Sequence, residues 1–464
     1  MKIESDKKVY LPSRKVYLHR LGCPKLDVDN DLLTAGLKKL GANLVESSDE
    51  AETVIVSTCA FTLDAKTEAV EAMLDAVAWK GENPENRTVY VSGCLPARNK
   101  DDLIKEVPEV DGWFGPGDFA ELLTDFNTED ASTIIDEKTG IKPDHPGRMT
   151  LPLEDRLSQF REAGSLPYSY LKISEGCSRF CAYCAIPTIR GKYRSRRPGS
   201  ILSEASRLLS QGVKEIIVTA EEVNSYGIDL KDGNTINTLL PRLGELVANQ
   251  NGWLRVLYTH PPLFDEEFIN TLANTPALVP YLDFPIEHAD DAVLKMMGRH
   301  TTWEDMKRWI DLLREKIDGI ALRTSIIVGH PGEGPGEFAN LLKRLDDARF
   351  ERLGVFRYSP EEGTRAEKLF DENPVDAEES ALRSDSVMAL ALEHADDWYR
   401  SKIGKSTEVL VEEINEDGHS VGRSVWDAPE IDGEAIFLNE NFDSGSIIKC
   451  KVVDAEPFSF IVKR

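Results

Sequence analysis

The chain has 464 residues, more than one ordinary domain holds, and the length indicates about two to four domains. Its 41% hydrophobic and 29% charged residues are typical of a globular protein. No apolar run reaches the roughly 18–20 residues of a membrane helix, so we expect no membrane partner. The net charge of −26 disfavours a surface suited to nucleic-acid phosphates and favours a basic partner.

The seven cysteines are an odd number, and the amino terminus lacks the apolar segment of a signal peptide. A cytoplasmic location is therefore expected, and a disulfide framework is not. Metal binding or catalysis is the better interpretation of the cysteines.

The first predicted domain, residues 15–126, alternates strand-like and helix-like segments. Residues 15–19, 53–57 and 87–92 are predicted strands, and leucines at three- and four-residue spacing between positions 32 and 40 predict a helix. The alternation predicts a parallel α/β sheet. Cys23, Cys59 and Cys94 (the first triplet) follow predicted strands, where such sheets bind ligands. Buried cysteines that only pack as small hydrophobic side chains are the alternative.

Residues 127–166 are acidic, contain Pro and Gly, and are predicted to be a linker. Residues 167–400 contain six predicted strands, at 169–174, 215–219, 254–258, 282–286, 319–328 and 352–358. Helical segments such as 201–211 and 303–316 separate them, which predicts a parallel barrel, complete or partial, with chemistry at the carboxyl ends. Residues 404–464 switch to short strands with turn signals, which predict a small antiparallel β-barrel.

The sharpest motif is CSRFCAYC, which places Cys177, Cys181 and Cys184 (the second triplet) after the first predicted barrel strand. A 4Fe–4S cluster normally takes four thiolates, so three leave one iron open for another ligand. A zinc site with a histidine as fourth ligand is the alternative.

The motif, with an aromatic residue before its third cysteine, resembles the CxxxCxxC motif of radical S-adenosylmethionine enzymes. The stretch AIPTIRGKYRSR that follows is similar to AIPxxRGxxRSR of the methylthiotransferases, and the resemblance covers nearly the whole chain. It implies an amino-terminal domain in which the first triplet holds a second 4Fe–4S cluster. It also implies a central partial radical-SAM barrel and a terminal TRAM barrel of the OB-like kind.

Two branches of that family modify either a tRNA adenosine or an aspartate of a ribosomal protein. LGCPK at residues 21–25, LGVFRYSPEEGT at 353–364 and GRS with DAPEIDG at 422–433 are similar to the ribosomal branch. Residues 404–464 contain 13 acidic and 6 basic residues, a net charge of −7. Because a barrel that grips tRNA should be positive, the charge favours a basic ribosomal protein.

The sequence departs from the family pattern at several positions. Leu26 follows Lys25 where Asn is usual, Ser57 replaces a common Asn, and His330 replaces a Phe. Glu221 and Glu287 stand where Gln is usual. The last two lie at predicted strand ends and put details of substrate or cofactor contact in doubt.

The resemblance suggests further site residues. Those expected to contact S-adenosylmethionine are Tyr183, Glu221, Glu222, Gly329 and Glu333. Those expected to bind substrate are Arg194, Arg196, Glu430 and Asp432. A solvated loop is the alternative for Glu221 and Glu222, and a surface strand with balanced charge is the alternative for Arg194 and Arg196.

The resemblance implies that S-adenosylmethionine acts both as radical source and as methyl donor. A 5′-deoxyadenosyl radical would remove a β-hydrogen from an aspartate of the twelfth small-subunit ribosomal protein. Sulfur from the cluster on the first triplet would then be inserted, and flavodoxin or ferredoxin would supply electrons. The alternatives are methylthiolation of tRNA and a non-catalytic iron–sulfur electron carrier.

Overall fold

A computed structural model describes residues 14–124, 126, 155 and 157–464, which form two compact units. The first unit comprises the described residues of Met1–Glu162 together with the later segment Ile186–Lys192. The second unit comprises Ala163–Ala185 and Tyr193–Arg464. Most of the predicted linker at 127–166 lies outside the described residues.

The first unit is built on a parallel sheet. Its strands are β1 (Lys15–Arg20), β2 (Asn43–Leu44), β3 (Thr53–Thr58), β4 (Thr88–Gly93) and β5 (Gly112–Phe114). They lie in the order β2-β1-β3-β4-β5. The central strand β3 is buried along its whole length, which agrees with its apolar, β-branched sequence TVIVST.

Helices connect these strands, as the alternating pattern predicts. They are α1 (Pro24–Lys39), α2 (Leu63–Gly81), α3 (Cys94–Glu106), α4 (Phe119–Thr124) and, from the later segment, α5 (Ile186–Ile189). Thr62 caps α2, since its hydroxyl accepts a hydrogen bond from the Ala65 N–H. The described helices and strands thus confirm a parallel α/β domain.

The second unit contains six parallel strands in two groups of three. The first group is β6 (Tyr168–Lys172), β9 (Glu215–Thr219) and β10 (Trp253–Val256). The second group is β11 (Tyr281–Asp283), β12 (Ala321–Val328) and β13 (Arg352–Arg357). The short strands β7 (Ser174–Glu175) and β8 (Arg194–Ser195) pair antiparallel with each other. This open arrangement is the partial barrel that the sequence predicts, and we call it the half-barrel.

Amphipathic helices cover the half-barrel and bury their apolar sides in one core. They are α6 (Pro198–Ser210), α7 (Ile236–Ala248), α8 (Glu266–Asn274), α9 (Asp291–Met296), α10 (Trp303–Lys316), α11 (Pro335–Ala348), α12 (Arg365–Glu372) and α13 (Ala377–Ser401). Thr302 and Asp305 form a capping box that begins α10. None of the helices in the described ranges is long and apolar enough to cross a membrane.

The carboxy-terminal residues of the second unit form a closed β-barrel, which we call the terminal barrel. Its strands are β14 (Ser406–Ile414), β15 (Ser420–Ser424), β16 (Glu434–Phe437), β17 (Ile447–Glu456) and β18 (Ser459–Lys463). Most pairings are antiparallel, as predicted, but β16 and β18 pair in parallel.

The terminal barrel packs against the amino ends of the half-barrel strands through buried ion pairs. Arg423 binds the carboxylate of Glu215, the first residue of β9, at 2.6 Å, and Arg255 binds the same carboxylate at 2.6 Å. Asp427 accepts a hydrogen bond of 2.6 Å from Arg352, the first residue of β13. These contacts therefore do not cover the carboxyl ends of the strands, where barrel enzymes have their active sites.

Candidate cluster-binding sites

The fold brings the first triplet to one edge of the sheet in the first unit. Cys23 follows β1 and caps α1, Cys59 directly follows β3, and Cys94 directly follows β4. Because β1, β3 and β4 are neighbours in a parallel sheet, their carboxyl ends lie side by side. Residues about 35 apart in sequence thereby become neighbours, as the strand-end positions predict.

A glycine allows β4 to approach β3 so closely. Gly93 has φ +106°, a conformation that side chains rarely adopt, and a Cβ atom at this position would lie 2.9 Å from the Thr58 backbone nitrogen. It would lie closer still to the Thr58 carbonyl oxygen. Gly93 therefore sets the distance between the residues that precede Cys59 and Cys94.

The electrostatics show that the three thiols influence one another. The pKa of Cys94 is raised to about 12, chiefly by burial and also by Cys23 and Cys59, whereas Arg190 opposes the rise. Burial and Cys23 likewise raise the pKa of Cys59, and Arg190 again opposes the rise. Arg190 forms a buried ion pair of 3.0 Å with Asp29. The site therefore combines three clustered thiols with one buried cation.

These features fit an iron–sulfur cluster. The six cysteines of the two triplets are free thiols. Among the described residues, no three His, Cys, Asp or Glu side chains converge as ligands of a single metal ion. The thiolates of a cluster bind different iron atoms, so convergence on one point is not required.

The second triplet occupies a turn-rich loop after β7. Gly176, with φ +75°, precedes Cys177, and the Cys177 sulfur accepts a hydrogen bond of 3.3 Å from the Arg179 N–H. The Cys184 N–H donates to the Cys181 carbonyl at 3.2 Å. Burial raises the pKa of the Cys177 thiol, the Arg179 N–H lowers it, and the other two thiols of the triplet raise it. The three cysteines are thus close enough to interact, as a cluster requires.

An acidic side chain lies next to this loop. Glu222 follows β9, and its carboxylate forms an ion pair of 3.0 Å with Arg179 and lies 3.6 Å from the Cys177 sulfur. Its side chain is 3% exposed and also accepts a hydrogen bond from the Ser225 hydroxyl. Of the two expected residues, Glu222 is therefore at the cluster loop and is oriented by Arg179, whereas a role for Glu221 stays a prediction.

A second group of buried polar residues faces the loop from the end of β11. Burial raises the pKa of Glu287, while Arg299 and Tyr183 oppose the rise. A carboxyl group held toward its protonated form has one donor and one acceptor, like the amide of Gln. Arg299 also donates a 2.9 Å hydrogen bond to Nδ1 of His260.

Backbone hydrogen bonds clamp the loop between two other segments of the half-barrel. The Ala182 N–H donates to the Met297 carbonyl at 2.7 Å, and the Ala182 carbonyl accepts from the Ala366 N–H at 2.9 Å. A pocket of about 550 Å³, lined in part by Cys181, opens beside the loop. The loop position is thus set by tertiary contacts.

In the turn after β12, the predicted cofactor residues Gly329 and Glu333 bond to each other. The Glu333 carboxylate accepts a hydrogen bond from the Gly329 N–H and forms an ion pair of 3.3 Å with Arg383. It also lies 3.4 Å from Nε2 of His288. Glu333 therefore holds the turn in shape, and direct contact of Gly329 or Glu333 with S-adenosylmethionine stays a prediction.

The predicted substrate residue Arg196 is buried and has partners within the protein, and its expected role stays a prediction. Its side chain is fully buried, pairs with Glu204 at 2.7 Å and donates to the Lys172 carbonyl. Arg194, in β8, is partly exposed, and its expected role stays a prediction. Arg194 and Arg196 therefore do not form one continuous basic surface.

Two acidic residues of the DAPEIDG motif also have structural partners. Asp432 has a side chain that is 2% exposed, accepts a 2.6 Å hydrogen bond from Tyr281 and lies 3.7 Å from Arg323. The carboxylate of Asp432 holds the terminal barrel on the half-barrel, and its expected contact with substrate stays a prediction. Glu430 accepts a 3.1 Å hydrogen bond from Tyr168 and serves the same junction.

Sequence reasoning missed several residues near the two triplets. Asp29 and Arg299 carry no local motif, and Arg190 lies in the stretch AIPTIRGKYRSR, in which only Arg194 and Arg196 were expected to be site residues. A charged residue beside a predicted ligand is recognisable only when the fold is known. The single available signal was that Arg179 lies within the second triplet's own loop.

Family models match three parts of the chain. Residues 15–115 match the uncharacterized protein family UPF0004, residues 171–345 the Radical SAM superfamily, and residues 403–463 the TRAM domain. The chain is 39% identical to the ribosomal protein uS12 methylthiotransferase RimO of Acetivibrio thermocellus, over 97% of this chain and 98% of that protein. It is 36% identical to the RimO of Trichlorobacter lovleyi, over 98% of both chains.

Solved structures share the fold at low sequence identity. The radical S-adenosylmethionine methyltransferase TsrM from Kitasatospora setae matches with a TM-score of 0.54 and 18% identity, over 74% of this chain and 72% of that one. The cobalamin-dependent S-adenosylmethionine radical enzyme OxsB matches with a TM-score of 0.51 and 14% identity, over 78% and 56%.

The half-barrel with its cysteine loop and the matched families define a radical S-adenosylmethionine enzyme of the methylthiotransferase class. Within that class, the chain belongs to the RimO family. Membership confirms the expected cofactors, S-adenosylmethionine and two 4Fe–4S clusters. It also confirms that the protein is an enzyme and not a non-catalytic electron carrier.

Proposed function

We propose that this chain transfers a methylthio group to the β-carbon of an aspartate side chain in ribosomal protein uS12. The observation that carries the proposal is 39% identity, over 97% of the chain, to an enzyme that modifies this protein. The two cysteine triplets, both at carboxyl ends of parallel strands, supply the chemistry such a reaction needs.

In the half-barrel, the second triplet is the site for the cluster that binds S-adenosylmethionine. When bound, these two groups supply the radical that removes hydrogen from an unactivated carbon. Glu222 and Arg179 orient each other beside Cys177 and fix that side of the loop. Glu221, Glu222 and Tyr183 remain the side chains proposed to bind S-adenosylmethionine.

In the first unit, the first triplet is the site proposed for the cluster that delivers sulfur. Arg190 offsets the negative charge of clustered thiolates, because it lowers the pKa of both Cys59 and Cys94. Its own partner, Asp29, keeps the guanidinium in one position. The first unit therefore stabilises bound thiolates by charge as well as by geometry.

The proposed partner surface is the acidic outside of the terminal barrel. The exposed acidic residues there include Glu413, Glu416, Asp417, Glu434, Asp443, Asp454 and Glu456. They attract a basic ribosomal protein, since complementary charge speeds association. A flavodoxin or ferredoxin as electron donor completes the proposal, because the cluster on the second triplet must be reduced in each turnover. A cytoplasmic location agrees with a ribosomal substrate.

The test is mass spectrometry of uS12 and of tRNA from cells with and without the gene for this chain. The expected result is that uS12 loses the mass of a methylthio group in the deletion strain while tRNA is unchanged. Restoring the gene should return the mass, and restoring a form with Cys181→Ala should not. If tRNA loses its methylthio group and uS12 does not, the tRNA branch is correct.

A further inference from the structure

The pocket beside the second triplet has an unusual charge for this acidic chain. Its lining includes Arg179, His260, His300 and Arg365. Among the described residues that line it there is no Asp or Glu. In a protein with a net charge of −26, this wall is suited to an anionic group.

Three of these four side chains are poor candidates for binding an anion. Arg179 is already neutralised, because it pairs with Glu222 at 3.0 Å. Burial and then Arg299 lower the pKa of His260 to about 2, so this imidazole is neutral. His300 and Arg365 are both exposed, but no hydrogen bond to another described residue orients the His300 imidazole. Arg365 remains as a permanent cation.

Arg365 is held in place without a counter-ion. One of its terminal nitrogens donates a hydrogen bond of 2.7 Å to the Phe180 carbonyl, in the loop of the second triplet. Among the described residues its guanidinium forms no ion pair, and no Asp or Glu lines the pocket beside it. One N–H is therefore used to anchor the side chain, and others are available to bind a ligand.

Gly298 makes this position of Arg365 possible. A Cβ atom at Gly298 would lie 2.6 Å from the terminal nitrogen of Arg365, so any larger residue would displace the guanidinium. Gly298 also has φ +73°, which favours glycine. The chain thus places a guanidinium against the cluster loop at a point where only glycine leaves room.

We infer that Arg365 binds the side-chain carboxylate of the substrate aspartate and so holds its β-carbon beside the second triplet. A guanidinium pairs with a carboxylate through two parallel N–H···O bonds, which fixes orientation as well as distance. The inference rests on the proposed function, since an adenosine base carries no carboxylate. It names a residue that selects aspartate over the isosteric asparagine.

The experiment measures peptide binding to anaerobic protein that carries both clusters. A fluorescent peptide from the substrate loop of uS12 is compared with its Asp→Asn counterpart by anisotropy. The unaltered protein should bind the aspartate peptide roughly 10- to 100-fold more tightly, as expected for a hydrogen bond between charged groups. Arg365→Gln should bring this ratio close to one.

The matched control is Lys368→Gln. Lys368 is exposed on the same helix, one turn from Arg365, and does not line the pocket, so this variant removes the same charge and should keep the full ratio. Arg365→Lys keeps the charge but loses the paired geometry and should give an intermediate ratio. It also provides a second measurement if Arg365→Gln loads less iron.

Two results would overturn the inference in distinguishable ways. If the Arg365 variants keep the ratio, or lose affinity for S-adenosylmethionine in place of the peptide, Arg365 does not bind the substrate carboxylate while the proposed function stands. If the unaltered protein ignores both peptides and modifies tRNA, the proposed function fails and the inference fails with it.

Discussion

Replacing Asp427 by Ala tests whether the DAPEIDG motif holds the terminal barrel on the half-barrel. The carboxylate of Asp427 is fully buried and accepts hydrogen bonds from Arg352 at 2.6 Å and from Tyr399 at 3.0 Å. It also accepts from the Ser424 hydroxyl. The Gly433 N–H donates to it as well, at 3.3 Å, so the substitution removes one carboxylate and leaves four donors without their acceptor.

The expected cost follows from the state in which Arg352 is left. Its side chain is 2% exposed, so solvent cannot replace the lost counter-ion. Removing one partner of a buried ion pair costs about 3–5 kcal/mol, and the stranded Tyr399 hydroxyl acts in the same direction. Contacts of Arg352 with the faces of Trp398 and Tyr399 persist and limit the loss. We therefore expect the free energy of unfolding of this junction to fall by about 3–5 kcal/mol.

Urea denaturation followed by tryptophan fluorescence measures this loss directly. Trp398 and Trp426 lie at the junction, with ring centroids 5.6 Å apart, so their emission reports its opening. Asp417→Ala is the control, because Asp417 is exposed in the same barrel, and it should change stability by less than about 0.5 kcal/mol. Equal effects of the two substitutions would refute the assignment of DAPEIDG to the junction.

Three further predictions address the clusters, the partner surface and the dependence on pH. Anaerobic protein should hold about eight irons by iron analysis, and changing all three cysteines of either triplet to Ala should leave about four. A colourless protein with stoichiometric zinc would contradict this prediction. The double substitution Glu416→Lys with Asp417→Lys should slow the association of uS12 in surface plasmon resonance and reduce the salt dependence of that rate, since both residues are exposed. An unchanged association rate would mean that uS12 binds another surface. Burial alone raises the pKa of Asp427 and Glu215, but their arginine partners outweigh it and leave both values below the ordinary ones. This stabilisation is complete above the unfolded pKa values and is lost as pH falls below about 4, so the junction should open in acid, and the loss should be smaller in Asp427→Ala.

The position of each strand-end cysteine was predictable because it depends on short-range pattern. A buried strand has a run of apolar and β-branched residues, as in TVIVST before Cys59, and the residue after it lies at the sheet edge. The second triplet is more local still, because its three cysteines lie within eight consecutive residues. Neither inference requires knowledge of a distant contact.

The roles of charged residues were predicted less well. Asp432 and Arg196 look like surface residues in the sequence, yet both side chains are buried against partners. Charged residues are rarely buried unless they are paired, so composition alone favours a solvent-exposed assignment. The pairs decide otherwise, because a buried carboxylate beside a guanidinium stays charged inside the protein.

The sequence by itself therefore determined the class of fold and the two triplets, since these follow from periodicity and from cysteine spacing, and the resemblance of its short motifs to a known family implied the cofactors. The tertiary structure alone decided which charges are available to a partner or a substrate. Asp427 meets Arg352 across 75 residues, and Arg365 reaches the Phe180 carbonyl across 185. Electrostatic energy depends on distance in space and on burial, and neither can be read from separation along the chain.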